Sequence, residues 1–215
     1  MTRVKICGIT SSGDARASVE LGAWAIGLIF WPGSPRACAI EDAELIGAEL
    51  HRRAEVAGVF VNATLDEVAA TADRCGLTLL QLHGDEGPVY CQEAARRTGC
   101  RIIKAARVRD AAQVQALRPF RTDFHLLDAH SSVAPGGTGQ SFDWTLVRHH
   151  GGTPPILLSG GLNPDNVAEA IAATQPFAVD TASGTEAEPG RKDPDKLAAF
   201  FRAVAGADHA AGAAA

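Results

Sequence analysis

The sequence predicts an α/β protein built as a single parallel, eight-stranded (β/α)8 barrel, a TIM barrel. Three observations carry that expectation. Short apolar strands alternate with amphipathic helices eight times, in units of roughly 25 residues, near the short end of the size range for such barrels. The strands are continuously apolar, as strands covered on both faces of a parallel sheet are. Several of them nevertheless carry polar residues on one parity, towards the ends where barrels keep their sites. A doubly wound open sheet would normally show G-x-G-x-x-G after its first strand, and CGITSSG (7–13) is not that turn.

The elements follow in order. VKICGIT (4–10) reads as a buried strand, β-branched at Val4 and Ile6 and stopped by Gly8. Ser11, Ser12 and Asp14 offer N-caps for a helix over 15–21, which Gly22 ends. AIGLIF (25–30) is the second strand, and Pro32, Gly33 and Pro35 keep 31–38 a loop. Helices over 41–53, 65–74, 88–97 and 111–117 alternate with strands over 56–61, 77–82, 101–106 and 124–129. A glycine-bearing loop (130–141) and a short helix (142–149) precede the strand 156–158. Asn163-Pro164-Asp165 opens a helix through 167–173, because proline suits a first turn. The last strand, 177–180, leads through a Gly-, Ser- and Pro-rich turn to a helix over 194–204. One barrel domain is expected over 1–205, with 206–215, small and polar, a disordered tail.

Composition narrows the function classes. A net charge of −5 gives no general attraction to nucleic acid or to an anionic membrane. Five cysteines without a C-x-x-C argue against a disulfide scaffold or a zinc cluster and fit a reducing, cytoplasmic setting. The chain opens on a strand motif rather than a leader, and no apolar run approaches the ~18 residues of a membrane span.

Side chains alternate across a strand, so if Val4 and Ile6 face the helices, Lys5 and Cys7 face the barrel interior. The same counting turns Gln81, His83, Lys104, Asp128 and Asp180 inward. Burying uncompensated polar groups costs kcal/mol each, which favours a site over a merely packed interior. Individually, Cys7 also reads as a small buried hydrophobe and His83 as a satisfied strand-end histidine. Lys104 also reads as an ion-paired or snorkelling lysine, and Arg36 as a solvated loop charge. Gly160-Gly161 after the seventh strand and Ala182-Ser183-Gly184-Thr185 after the eighth read together as a phosphate cradle, since bare amides and helix N-termini bind anions and barrels commonly use these two loops.

Taken together, KICGIT (5–10), SPR (34–36), AGVFVN (57–62), LQLHGDE (80–86), LLD (126–128), GGTGQSFDW (136–144), GGLNPDNV (160–167), VDTASGTE (179–186) and PGRKD (189–193) resemble the phosphoribosylanthranilate isomerases, in family order over nearly the whole chain. Where the family usually has Ser-Ser-Gly-Val-Glu this chain has Ala182-Ser183-Gly184-Thr185-Glu186, and Ser159 replaces an alanine before Gly160. Both changes leave the glycine amides in place.

The resemblance implies an Amadori rearrangement of an aminoaldose 5-phosphate in tryptophan biosynthesis, with no cofactor and no metal. It implies Asp128 as general acid and Cys7 as general base, and Arg36 holding the anthranilate carboxylate. Gln81, His83, Asp180 and Lys5 then contact substrate, and Gly160, Gly161, Ser183 and Gly184 hold the phosphate. Such an acid must keep its proton near neutral pH, and such a base must supply thiolate. The implied partner is a small-molecule phosphosugar, with no nucleic acid or membrane, the chain acting as monomer or homodimer. Three alternatives stand beside it: a related histidine-pathway isomerase, whose first strand carries aspartate where this chain has Cys7; a barrel without activity kept for phosphate binding; and a metal-dependent epimerase, for which the inward set lacks two histidines and two carboxylates.

Overall fold

The computed structural model of the chain describes residues 1–129 and 144–213. Eight parallel strands close into a barrel in chain order: β1 (Arg3–Cys7), β2 (Ala25–Ile29), β3 (Glu55–Phe60), β4 (Leu79–Leu82), β5 (Arg101–Val108), β6 (Phe124–Ala129), β7 (Ile156–Ser159) and β8 (Ala178–Thr181). Closure comes from β8 pairing in parallel with β1. Helices α1 (Ser12–Glu20), α2 (Ile40–Leu50), α3 (Leu65–Cys75), α4 (Pro88–Thr98), α5 (Ala111–Gln115), α6 (Val167–Thr174) and α7 (Pro194–Ala213) cover the outside. No helix among the described residues is long and apolar enough to cross a membrane.

Period-2 alternation divides the core in two. Outward residues such as Ile6, Ile26, Val56, Leu80 and Val179 pack against helix residues including Ile46, Val68 and Phe200. Inward, Ala25, Ala57, Leu79, Ile103, Leu126 and Leu157 fill the barrel. Each fully buried Leu or Ile contributes about 1.5–3 kcal/mol relative to exposure. Trp24 packs edge-on against Phe124 at 5.6 Å and Phe177 at 5.3 Å, and these three rings, at the entries of β2, β6 and β8, plug the N-terminal end. The barrel interior therefore opens at its C-terminal mouth.

Local chemistry explains most helix ends. Ser11 accepts from the Asp14 amide, and Thr64 and Glu67 form a reciprocal capping box on α3, which ends at left-handed Gly76. Three expectations change. The 142–149 helix is a 3-10 helix, Trp144–His150, whose Trp, Thr, Val and His residues are weaker α-formers; residues 142 and 143 lie outside the described set. The turn after β8 contains a short 3-10 turn (Ser183–Thr185) and an antiparallel hairpin, β9 (Glu186–Glu188) and β10 (Arg191–Lys192). The tail expected to be disordered from 206 continues α7 to Ala213. Alanine is the best helix former, and Asp208 fastens the segment by accepting from the Thr2 amide at 2.7 Å and hydroxyl at 2.8 Å.

Where α2 meets α3, a Cβ on Gly47 would overlap the Cys75 carbonyl. Helix propensity alone favours Gly47→Ala by about 1 kcal/mol, whereas overpacking against backbone costs about 1–3 kcal/mol. Thermal melting of Gly47→Ala is expected to show a lowered Tm; a raised one would mean the helices part at no cost.

Candidate active site

The site is built on the seam between the first and last strands. Register sets Lys5 opposite Asp180, and the fully buried Lys5 ammonium donates to Asp180 Oδ1 at 2.7 Å. Ser159 Oγ donates to the other oxygen, Asp180 Oδ2, at 3.0 Å, so both carboxylate oxygens are engaged. Burial alone would lower the Lys5 pKa, but Asp180 and Cys7 outweigh it and leave it above the ordinary lysine value. Cys7 lies two residues further along, at the end of β1, directly across from Gly27. A Cβ on Gly27 would come within 2.7 Å of Cys7 Sγ and 3.2 Å of Lys5 Nζ, so a glycine on β2 is what makes room for both. Burial, the largest effect, pushes the Cys7 thiol up; Lys5 and Lys192 pull it back and Asp180 adds to the rise.

Above this floor opens a cavity of about 230 Å³, lined by residues that include Cys7, Arg36, Gln81, His83, Asp128 and Asp180. Gln81 Nε2 lies 2.9 Å from His83 Nδ1, and His83 Nε2 lies 3.4 Å from Asp128 Oδ2. With Gln81 donating, the imidazole proton sits on Nε2 and points at the Asp128 carboxyl. Gln81 Oε1 is buried and has no partner among the described residues. Arg36 arrives from the loop after β2 and presents its fork to Glu186, with Nε to Oε1 at 2.9 Å and Nη2 to Oε2 at 2.7 Å. Burial alone would raise the Glu186 pKa, but Arg36 and Lys192 bring it below the ordinary carboxylate value.

The loops after β7 and β8 complete the mouth. Gly160 and Gly161 have φ of 98° and 67°, values open to glycine, and both line the cavity together with Ser183. Thr181 Oγ1 donates to the Leu162 carbonyl at 2.7 Å and ties one loop to the other. Asn163 caps the turn into α6 by accepting from the Asp165 and Asn166 amides. Bare amides and a hydroxyl converging on one pocket suit an oxyanion. No group of three or more His, Cys, Asp or Glu among the described residues is placed to hold a metal.

Comparison with known proteins decides the family. The model of the family described as N-(5'phosphoribosyl)anthranilate (PRA) isomerase matches residues 4–203. The chain belongs to that family. It is 50% identical over 197 residues to the N-(5'-phosphoribosyl)anthranilate isomerase of Citrifermentans bemidjiense, covering 92% of this chain and 94% of that one. The crystal structure of the Thermotoga maritima phosphoribosyl anthranilate isomerase superposes with a TM-score of 0.87 at 41% identity, covering 96% of this chain and all (100%) of the other. A phosphoribosyl anthranilate isomerase in complex with reduced 1-(o-carboxyphenylamino)-1-deoxyribulose 5-phosphate superposes with a TM-score of 0.84 at 40% identity, over 96% of this chain and 100% of that one.

Within this isomerase the residues expected from sequence divide by position. Cys7, Arg36, Gln81, His83, Asp128, Asp180, Gly160, Gly161 and Ser183 line one cavity. Lys5, expected to touch substrate, lies beneath it with no exposed surface, and serves Asp180 and Cys7 instead. Gly184, expected to hold phosphate, is not among the residues that line the cavity; a Cβ there would collide with the Leu162 carbonyl. Lys104 is on the opposite parity to the one expected: Ile103 and Ala105 face inward, and Lys104 Nζ bonds Gly84 O at 2.7 Å and Glu86 Oε2 at 2.8 Å outside the barrel. The GGTG cluster (136–139) lies outside the described residues.

Four residues at the site carried no separate expectation: Gly27, Ser159, Glu186 and Lys192. The last two stand in TASGTE and PGRKD, where acidic and basic residues inside a glycine-rich turn were the available signal. Removing Asp180 leaves a buried lysine without its counter-charge, which costs about 3–5 kcal/mol. Asp180→Ala is expected to lose that much in urea unfolding, and Lys5→Met/Asp180→Ala to recover most of it; a loss under about 1 kcal/mol would mean the pair does not hold the seam.

Proposed function

We propose that the chain converts N-(5-phosphoribosyl)anthranilate to 1-(2-carboxyphenylamino)-1-deoxyribulose 5-phosphate, in tryptophan biosynthesis, by a general acid–base Amadori rearrangement. The observation that carries this reading is that Cys7 and Asp128 line a single small cavity which Gly160, Gly161 and Ser183 also line. A base, an acid and an oxyanion cradle are the three things the reaction requires.

The phosphate sits on the Gly160, Gly161 and Ser183 amides and hydroxyl. Asp128, in its protonated form, gives its proton to the furanose ring oxygen, and the C1′–oxygen bond breaks as the anthranilate nitrogen forms a Schiff base. The Cys7 thiolate then removes the C2′ proton, and the electron pair moves towards the nitrogen to give an enolamine. Tautomerisation of that enolamine yields the ketone. His83, oriented by Gln81, donates to the Asp128 carboxylate left after protonation, and Gln81 Oε1 accepts from a substrate hydroxyl. Glu186 holds the Nε–Nη2 edge of Arg36, which leaves the Nη1–Nη2 edge for the anthranilate carboxylate. All five cysteines are free, which supports the cytoplasmic reading.

Loss of substrate fluorescence, with phosphoribosylanthranilate generated in situ, tests the reaction directly. Cys7→Ala and Asp128→Asn are each expected to lower kcat by about 10²–10⁴ with unchanged thermal melts. Rates like the parent's in either variant would remove that residue from its role. Arg36→Ala is expected to raise KM by roughly 10–100-fold, the worth of a charged hydrogen bond to carboxylate, with a smaller effect on kcat. An unchanged KM would take Arg36 out of the binding site.

A further inference from the structure

The chemistry above gives Lys192, a charged group at the mouth, no task. It sits on β10 with 3% exposure. Its ammonium donates to Cys7 O at 2.7 Å, Ala182 O at 3.0 Å and Glu186 Oε1 at 3.2 Å. Two of these acceptors are carbonyls at or just past the ends of β1 and β8, so one cation joins adjacent strand ends to the hairpin. Burying an ammonium carries a desolvation penalty of several kcal/mol, which these three acceptors must offset. One acceptor, moreover, is the carbonyl of the residue whose thiol lines the cavity.

Charge around that thiol points the same way. Lys5 and Asp180 face Cys7 from β1 and β8, Arg36 from the loop after β2, and Lys192 and Glu186 from the hairpin; His83 and Asp128 lie on the same cavity. Asp180 is matched by Lys5, but Glu186 is shared by Arg36 and Lys192. With Asp128 protonated, as the mechanism proposed above requires, three cations stand against two anions among the described residues around Cys7, and without Lys192 the balance is two against two.

We propose that Lys192 is a positioning residue for this isomerase: it fixes the end of β1 that carries Cys7 and supplies the surplus positive charge that stabilises the thiolate in a buried setting. The inference rests on the role of Cys7 proposed above. The direction of the field supports it, since Lys5 and Lys192 are the cations that oppose burial at the thiol.

The test is the pH dependence of Cys7 alkylation by iodoacetamide, read on the Cys7 peptide by mass spectrometry in the full-length protein, beside kcat and KM. Lys192→Met is expected to move the alkylation midpoint up by roughly one pH unit or more, with about a tenfold fall in kcat near neutral pH and little change in KM. Lys192→Arg is expected to restore most of both. Glu186→Gln, which removes the shared anion and leaves both cations, is expected to move the midpoint down. An unmoved midpoint in Lys192→Met, or shifts of the same sign in Lys192→Met and Glu186→Gln, would overturn the proposal. If Lys192→Met does not fold, Glu186→Gln decides: a downward shift supports the proposal, and no shift or an upward one overturns it. The titration needs no turnover, so an inactive wild type would sink the isomerase reading while leaving the midpoints to judge Lys192.

Discussion

The structure depends on the closure of β8 onto β1. Because side chains alternate with a period of two, the register of that single seam determines which residues meet inside the barrel. With Lys5 opposite Asp180, Cys7 falls at the strand end, level with Gly27 on its other neighbour. A slip of one residue would turn Lys5 and Cys7 into the helix layer and bury Ile6 where the thiol belongs. A buried ion pair is weak evidence for stability in general, since desolvation offsets most of its attraction. Its value here is as a register lock: an unpaired lysine in the wrong register has no way to be satisfied.

Above that lock, the mouth works by dividing charge. Glu186 has two oxygens and two cations to serve, so it holds Arg36 in a fixed fork while neutralising Lys192 only in part. The same carboxylate thereby links the residue that would grip an aromatic acid to the surroundings of the thiol. On the other side Gln81 sets the tautomer of His83, which sets the proton facing Asp128. Both are assembled from strand ends, the loop after β2 and a short hairpin packed against one another.

Much of this was legible in the sequence, and the failures have particular causes. Parity worked on β1, β4, β6 and β8, because in each an apolar residue that faces the helices directly precedes the polar one. It failed on β5, where Ile102 and Ile103 are both buried, one on each side, so the apolar pattern carried no face information. Lys104 then found its acceptors outside, at the Gly84 carbonyl and Glu86. Lys192 was invisible for a different reason: its main acceptor is a backbone carbonyl 185 positions away, and a main-chain acceptor leaves no trace in residue types. The tail was misread because small residues suit both loose segments and helices; the Thr2–Asp208 contact, which ties α7 to the residues before β1, decided it.

That β1 meets β8 and the hairpin after it has a consequence for synthesis. Lys5 is made 175 residues before its partner Asp180, and Cys7 185 residues before Lys192. Until then the nascent chain exposes an unclosed sheet edge at β1, a buried-type lysine without its anion, and half a cavity. The barrel gains its seam and its thiol environment only once β8 and the hairpin have been made. A chain that stops short of the hairpin therefore has all eight barrel strands and the residues that line the cavity, but lacks the Glu186 that holds the Arg36 fork and the Lys192 that holds the end of β1.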